Sequence, residues 1–178
     1  QIADLEKLIG YVPQEHILFS KNVAYNIRFG KNRATEQEIH DVVAFADFTK
    51  DLDRMSQGLE TLIGEKGVSI SGGQKQRISI ARGLIRQPEL LILDDSLSAV
   101  DAKTEQAIIH NIQKIRKGQT TIIITHRLSA VAKAHQVIVM EQGKIAEYGT
   151  PEQLLAQKGW YYAQHLKQQL EENENENI

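Results

Sequence analysis

The sequence contains no cysteine, which excludes disulfide bonds and thiolate metal sites and permits an intracellular setting. It also lacks an excess of charge of either sign. The formal net charge is -2, which gives no electrostatic reason to expect binding to nucleic acid or to an anionic membrane. No apolar run approaches the roughly 20 residues of a membrane-spanning helix. Any association with a membrane is therefore expected to come through another segment or another chain.

The given sequence also begins with Gln1 and not with methionine, and it shows no signal-peptide pattern. We therefore expect a piece of a longer protein. What is present is ordinary for a globular domain, with 178 residues, of which 41% are hydrophobic and 25% charged. We expect one domain over about 1–170. Residues 171–178, in which Glu and Asn alternate, are expected to form a disordered tail.

The order of apolar runs and helix signals predicts an α/β fold. Short apolar runs at 8–12, 90–93 and 120–125 are typical of strands, and the continuous ones suit parallel strands buried on both faces. A capping box at Thr35 and a helix start near Ser71 indicate a helical block of about 23–87. This block would interrupt a sheet-forming core of about 1–22 and 88–170. A turn at Gly143 predicts an antiparallel hairpin.

A glycine-containing turn precedes the helix that begins near Ser71. Gly72 and Gly73 remove side chains where backbone can approach a ligand, and Gln74 follows them. The helix N-terminus supplies unpaired N–H groups and partial positive charge, which together favour a bound anion such as phosphate. Taken alone, the same residues suit an ordinary glycine turn with Ser71 as the N-cap equally well.

Polar residues follow two of the predicted strands. Asp94 and Asp95 end the run at 90–93, and His126 comes directly after the run at 120–125. In parallel α/β sheets, ligands bind at the carboxyl edge, where carboxylate oxygens suit magnesium. Either pattern alone is common, since a strand ending in an Asp turn or a single solvated histidine needs no function.

In this order, the elements resemble an ABC-type ATPase from about Leu8 to Gln169. The turn at 71–74 is similar to the family signature, with Ile70 where leucine is usual. Gln14 is similar to the Q-loop glutamine and Asp94 to the Walker B aspartate. Residues 98–101 are similar to the D-loop, and His126 to the switch histidine. The resemblance implies a partial P-loop NTPase (RecA-like) parallel sheet with an inserted α-helical subdomain.

The resemblance also implies roles for these residues. In the family, two ATP-binding domains close head to tail around two ATP molecules. Ser71, Gly72, Gly73 and Gln74 would hold the γ-phosphate of the ATP bound to the partner domain, and Asp101 would communicate across the dimer. At the chain's own site, Asp94 would hold Mg2+ through water and Gln14 would sense the metal and couple to the transport domain. His126 would contact the γ-phosphate, and Asp95 occupies the position of the residue that polarises the attacking water.

Two further stretches are similar to exporters. Residues 18–20 with Asn26, Ile27 and Gly30 look like the segment after the Q-loop, and 64–67 resembles the X-loop that lies against transmembrane coupling helices. A transmembrane domain fused upstream, and a location at the cytoplasmic face of a cell membrane, are therefore expected. The alternatives are a soluble ABC ATPase of chromosome maintenance or DNA repair, or a non-catalytic module. A long heptad segment and a basic patch, which the first alternative favours, are absent.

The sequence departs from the family in two ways. No P-loop pattern of the form G-x-x-x-x-G-K-[ST] occurs, and we expect it upstream of Gln1, so that the isolated chain would be inactive. Asp95 stands where glutamate is usual, and its side chain is one methylene shorter. This substitution predicts one half of a heterodimeric exporter in which one ATP site hydrolyses poorly, or else a homodimer with two slow sites.

Overall fold

The computed structural model describes residues 6–64 and 67–176 of the chain. The protein folds into two compact units, Gln1–Thr125 and His126–Ile178. This division differs from the expected one between a helical block of about 23–87 and a core of about 1–22 and 88–170. Those subdomain boundaries stay a prediction.

The first unit contains a parallel sheet of three strands, β1 (Ile9–Val12), β2 (Leu90–Asp94) and β3 (Thr120–Ile124), in the order β1-β2-β3. β1 and β2 align Val12 with Leu93, and β2 and β3 align Leu93 with Ile123. The strands are therefore in the expected places, and the prediction of an α/β fold with a parallel sheet is confirmed. All three carboxyl ends meet at one edge, where ligands of such folds bind.

Helices connect the strands. Between β1 and β2 lie α1 (Val23–Arg28), α2 (Glu36–Phe45), α3 (Thr49–Arg54) and α4 (Gly72–Leu84), and α5 (Ala102–Ile115) joins β2 to β3. Complete capping boxes begin α2 at Thr35 and α4 at Ser71, and the Asp101 side chain accepts a hydrogen bond from the Thr104 N–H in the first turn of α5. These caps satisfy backbone donors that a helix start would leave unpaired, which fixes where each helix begins.

α4 packs against β1 and β2 and carries much of the core. Ile78 and Ala81 on the helix and Leu91 and Leu93 on β2 are fully buried. The approach to β1 is close enough that a Cβ on Gly83 would lie 2.6 Å from Val12 Cγ2. The buried apolar residues of α4 and the absence of a side chain at Gly83 thus set how closely this helix packs on the sheet.

The other face of the sheet is open in this unit. Tyr11, Ile92 and Ile122 form one row across the three strands, yet the side chains of Tyr11 and Ile122 are 54% and 44% exposed. β3 is a strand as predicted, but the expectation that it is buried on both faces is wrong. Alternate residues point to opposite faces, and only the face toward α4 is packed.

The second unit is built around a hairpin and two helices. β4 (Val137–Glu141) and β5 (Lys144–Gly149) pair antiparallel about the turn at Gly143, as expected. α6 (Pro151–Gln157) starts with a capping box at Thr150, and α7 (Trp160–Glu176) follows it. A hydrophobic cluster in this unit is formed by the buried side chains of Leu128, Val139, Leu154 and Tyr161.

α7 also runs through most of the expected disordered tail. The tail was expected from Glu171, whereas the helix continues to Glu176. Glutamate is a good helix former, and extending an existing helix avoids the cost of a new nucleus. Asn177 and Ile178, the last residues of that expected tail, lie outside the described residues.

The end of α5 is held by a buried arginine. Arg116 is 5% exposed, and its guanidinium donates to the backbone oxygens of Pro88, Glu89 and Thr120 and to the Thr121 hydroxyl at 2.7–3.2 Å. Burial lowers the pKa of Arg116 by disfavouring its charged form. The arginine therefore joins the starts of β2 and β3 to the helix between them.

Replacing this arginine with methionine should destabilise the chain. Methionine is long and unbranched like the stem of arginine, but Arg116→Met leaves buried carbonyl groups without a donor. This should lower the free energy of unfolding by about 2–4 kcal/mol. The free energy of unfolding in urea measures it. Lys114→Ala, an exposed change at the same helix end, serves as the control and should stay within about 0.5 kcal/mol of the parent chain. Equal stability of the two variants would contradict the role given to Arg116.

Candidate functional site

Polar side chains from adjacent strand ends meet at the carboxyl edge of the sheet. The Gln14 Nε2 donates to Asp95 Oδ2 at 3.2 Å, and the Tyr11 hydroxyl donates to Asp94 Oδ2 at 2.9 Å. The hydrogen bond to Asp94 raises the pKa of Tyr11, because it favours the protonated phenol. The structure thus brings together three of the predicted site residues, Gln14, Asp94 and Asp95.

Asp95 turns the chain away from β2. Its backbone N–H still donates to the Ile124 carbonyl at 2.8 Å, but its φ is 44°, in the left-handed region. Aspartate and asparagine tolerate this region better than most residues. The turn directs the carboxylate toward Gln14 while the backbone remains anchored to β3.

The loop that follows Asp95 is fixed to α4 by hydrogen bonds. The Ser98 hydroxyl donates to the Asp95 carbonyl at 2.9 Å and accepts from Gln76 Nε2 at 3.2 Å. The Ala99 N–H donates to Gln76 Oε1 at 2.9 Å. Since Gln76 is 1% exposed, this amide is buried and its two polar atoms are paired with the loop.

The glycine turn at the start of α4 lies against the same loop. A Cβ on Gly73 would lie 2.9 Å from the Ala99 carbonyl oxygen, whereas one on Gly72 would meet only the Ala99 Cβ at 3.4 Å. Ser71 and Gln74 form a reciprocal capping box, and the first turn carries no acidic residue. This helix start suits an anion, because its N–H groups and dipole are not opposed by a carboxylate of the first turn itself.

α4 is tied to α3 through a carboxylate that the sequence analysis did not identify. Asp51 accepts from Gln74 Nε2 at 2.8 Å and from Arg77 at 2.7 Å. Arg77 also donates to the Asp47 and Gly73 carbonyl oxygens. These contacts fix the side chain of Gln74, and with it the shape of the glycine turn.

The other end of α4 holds the segment after β1. Arg82 donates to the Ile17 carbonyl at 2.9 Å and to the backbone and side-chain oxygens of Asn26 at 2.9 and 3.2 Å, and its guanidinium lies over the rings of Phe19 and Phe29. Asn26, fully buried, closes the segment by pairing with both backbone groups of Phe19. The apparent exporter segment is therefore one packed structure attached to α4.

Two further predicted residues, Asp101 and His126, belong to other elements of the structure. Asp101 caps α5, and its hydrogen bonds with the backbone and hydroxyl of Thr104 lower the pKa of its carboxyl group. His126 begins the second unit, in which its carbonyl oxygen accepts from Gln168 Nε2 at 3.1 Å. Their roles in nucleotide binding stay predictions.

The oxygen atoms at this edge fit a magnesium ion, and the donors at the start of α4 fit a phosphate group. Asp94, Asp95 and Gln14 offer carboxylate and amide oxygens, and Mg2+ in nucleotide sites takes one or two carboxylates together with phosphate oxygens and water. The start of α4 offers N–H donors and the Ser71 hydroxyl to an anion. Of the apparent X-loop at 64–67, Glu65 and Lys66 lie outside the described residues, so this assignment stays a prediction.

Comparison with known proteins identifies the family. The sequence profile of the family described as ABC transporter matches residues 1–98. The chain belongs to the ABC transporter family. It is 62% identical, over 91% of its length, to a probable multidrug resistance ABC transporter ATP-binding/permease protein, YheI of Bacillus subtilis. It is 48% identical, over 96% of its length, to the multidrug resistance-like ATP-binding protein MdlA of Escherichia coli.

A solved structure supports the same fold. The structure of a bacterial Atm1-family ABC exporter with ATP bound superposes with a TM-score of 0.90 at 36% identity, over 94% of this chain and 30% of that one. The expected P-loop NTPase-like fold is thereby confirmed. The chain spans 28% and 29% of the length of YheI and MdlA. Among the helices that the structure describes, none has both the length and the hydropathy to cross a bilayer.

Sequence reasoning missed the side chains that hold the ABC signature in place. Gln76, Asp51, Arg77 and Arg82 contact groups that are 22 or more residues away along the chain. One signal was available for Gln76, because it lies four residues before Ile80 and so falls on the buried face of α4. The others occupy positions that a charged helix surface would also fill.

The two signature glycines should differ in their response to alanine. Gly73→Ala places a methyl group 2.9 Å from a backbone oxygen and should destabilise the chain by about 1–3 kcal/mol, as overpacking does. Gly72→Ala meets ordinary van der Waals contact and should stay within about 0.5 kcal/mol. Thermal unfolding of the two variants tests the difference, and equal melting temperatures would rule out the close approach to Ala99.

Proposed function

We propose that this chain is part of the ATP-binding domain of an ABC exporter, which hydrolyses ATP at the cytoplasmic face of a membrane to drive export. The observation that carries the proposal is the pairing of Gln14 with Asp95 beside Asp94, on a loop that is itself bonded to the signature helix. This arrangement supports a site in which a metal-bound phosphate and an attacking water meet. On its own the chain, whose sequence contains no P-loop motif, is expected to bind ATP weakly.

The chemistry asked of these residues is positioning and charge stabilisation, as in phosphoryl transfer generally. Asp94 would hold Mg2+ through water. Gln14, just after the end of the adjacent strand β1, would orient a water molecule or one of the ligands of the metal. Asp95 would align the attacking water, and His126 would contact the γ-phosphate. When bound, Mg2+ neutralises charge on the phosphate oxygens.

Export as the purpose of hydrolysis is supported by the relatives. YheI and MdlA carry multidrug-resistance names, and the solved structure is of an exporter. Because the chain is 62% identical to YheI, which is named an ATP-binding/permease protein, we propose that it works with a transmembrane domain. The substrate would be set by that domain.

An exposed aromatic cluster supports docking to the transmembrane domain. Phe19, Tyr25 and Phe29 are 37%, 47% and 57% exposed, and the ring of Phe19 lies 4.7 Å from that of Phe29. A cluster of this kind marks an interaction surface. Because Arg82 holds the same segment, a force on this cluster would be transmitted directly to α4.

A second ABC ATP-binding domain would complete each ATP site. The start of α4 would face the γ-phosphate of the nucleotide on the partner domain, and Asp101 would lie near that interface. Asp95 in place of glutamate supports a heterodimer in which this chain's own site hydrolyses slowly. The backbone of Asp95 is left-handed, a conformation that aspartate adopts more readily than most residues.

The signature role can be tested by blocking the glycine turn. In the complete transporter, Gly72→Trp should abolish turnover at the partner's site, because an indole would occupy the approach to the α4 N-terminus. Steady-state ATPase activity and nucleotide binding to each open domain are the measurements. Binding should persist. His110→Trp, on the exposed face of α5, controls for an added tryptophan. Unchanged turnover in Gly72→Trp would refute the proposed function.

The length of the carboxylate at position 95 can be tested at this chain's own site. Asp95→Glu should raise hydrolysis there, by up to about 10²-fold, because one more methylene extends the carboxylate toward the attacking water. Single-turnover hydrolysis in a transporter with the partner's site disabled is the measurement. Asp95→Asn, which keeps the size and the backbone preference, should give no gain. No gain in Asp95→Glu, with an intact facing signature, would show that carboxylate reach does not limit this site.

A further inference from the structure

Gln76 is a buried polar residue on the largely apolar inner face of α4. It is 1% exposed and lies one helical turn before Ile80, which is fully buried. Burying an amide is unfavourable unless its donor and acceptor are both paired. Both partners of Gln76 are outside the helix, at Ser98 and Ala99, so the helix itself does not explain why a polar residue occupies this position.

The hydrogen bonds of Gln76 form a continuous chain that ends at Asp95. Gln76 Nε2 donates to the Ser98 hydroxyl, and that hydroxyl donates to the Asp95 carbonyl oxygen. Hydrogen bonds in series polarise and orient one another. A displacement of Gln76 would therefore be felt at the backbone of Asp95, whose side chain contacts Gln14.

A second contact connects the same loop to the signature turn. The Ala99 N–H donates to Gln76 Oε1, while the Ala99 carbonyl oxygen lies where a Cβ on Gly73 would have to fit. Ala99 is thus held between Gln76 and Gly73, three residues apart on α4. The start of this helix and the loop after β2 cannot move independently without breaking these contacts.

Under the proposed function, these two ends serve different ATP molecules. Asp95 belongs to the chain's own site, and the turn at Gly72 and Gly73 belongs to the site on the partner domain. We propose that Gln76 is a positioning residue that couples the two ATP sites through one chain, by holding Ser98 and Ala99 against α4. This inference rests on the proposed function and adds a residue that acts on both sites.

Binding of a phosphate at the signature turn would then favour one position of the loop at 98–99. That position fixes the Asp95 carbonyl and aligns its carboxylate with Gln14. Coupling of this kind is reciprocal, so nucleotide bound at Asp95 would equally favour the binding position of the signature turn.

The test uses the complete transporter with each ATP site disabled in turn. Gln76→Met preserves the length and the approximate volume of the side chain but removes both of its hydrogen bonds. Ser98→Ala removes the step between Gln76 and Asp95. Ser79→Ala is the matched control, since Ser79 lies on the same helix, is 5% exposed, and has a side-chain oxygen without a hydrogen-bond partner. Turnover at the partner's site is followed at steady state, and hydrolysis at this chain's own site by single turnover.

Gln76→Met should lower kcat at the partner's site, and the single-turnover rate at this chain's own site, by about 10-fold or more, because a misplacement of about 1 Å costs up to roughly 10²-fold in rate. KM for ATP should change by less than about twofold, since ATP binding by each open domain is left intact. The melting temperature should remain close to that of Ser79→Ala. Adding Ser98→Ala to Gln76→Met should cause little further loss at this chain's own site, because both act through one network.

Three outcomes would overturn the inference. A loss in only one background would make Gln76 a residue of a single site. A parallel fall in melting temperature and in the amount of ATP bound would make its role structural. Activity equal to that of Ser79→Ala in both backgrounds would show that Gln76 is dispensable. If Gly72→Trp also leaves turnover unchanged in this transporter, the proposed function fails and the inference falls with it; if Gly72→Trp abolishes turnover, the inference alone is wrong.

Discussion

The close approach of α4 to the loop after β2 is the constraint on which the rest of the site depends. Only a residue without a side chain fits where Gly73 meets the Ala99 carbonyl, and Gln76 then bonds the loop from the next turn of the helix. Because the loop begins at Asp95, the position of α4 also determines where that carboxylate lies. A sheet edge with two aspartates would otherwise carry a flexible turn and no defined geometry.

The charges of the site are arranged in two separate places. The carboxylates of Asp94 and Asp95 lie at the strand ends, where they suit a cation, whereas the first turn of α4 carries no acidic residue of its own and suits an anion. The left-handed backbone of Asp95 maintains this separation, since it turns the side chain toward Gln14 while β3 holds the main chain. A metal–nucleotide complex needs both kinds of environment.

Local signals in the sequence were sufficient for most of the fold. Capping boxes at Thr35 and Ser71 begin helices where helix starts were expected, because such caps depend on residues only three positions apart. The exposed face of β3 and the contacts of Gln76 could not be predicted in this way. Each depends on which element packs against which, and on side chains that bond to backbone far away in the sequence.

α4 makes the long-range contacts that local sequence signals could not predict. Its first turn meets the loop after β2, its middle holds Asp51 through Arg77, and Arg82 near its end holds the segment of Phe19. A helix of 13 residues is stiff along its axis, so these attachments move together. A displacement at the aromatic cluster would therefore reach the glycine turn and Asp95 through one rigid element, without any change in the sheet. Because the attachments along the helix are separate, the proposed contact with a transport domain could be weakened at Arg82 while the hydrogen bonds of Gln76 remain. Such a change would distinguish the proposed coupling to transport from the proposed coupling between ATP sites.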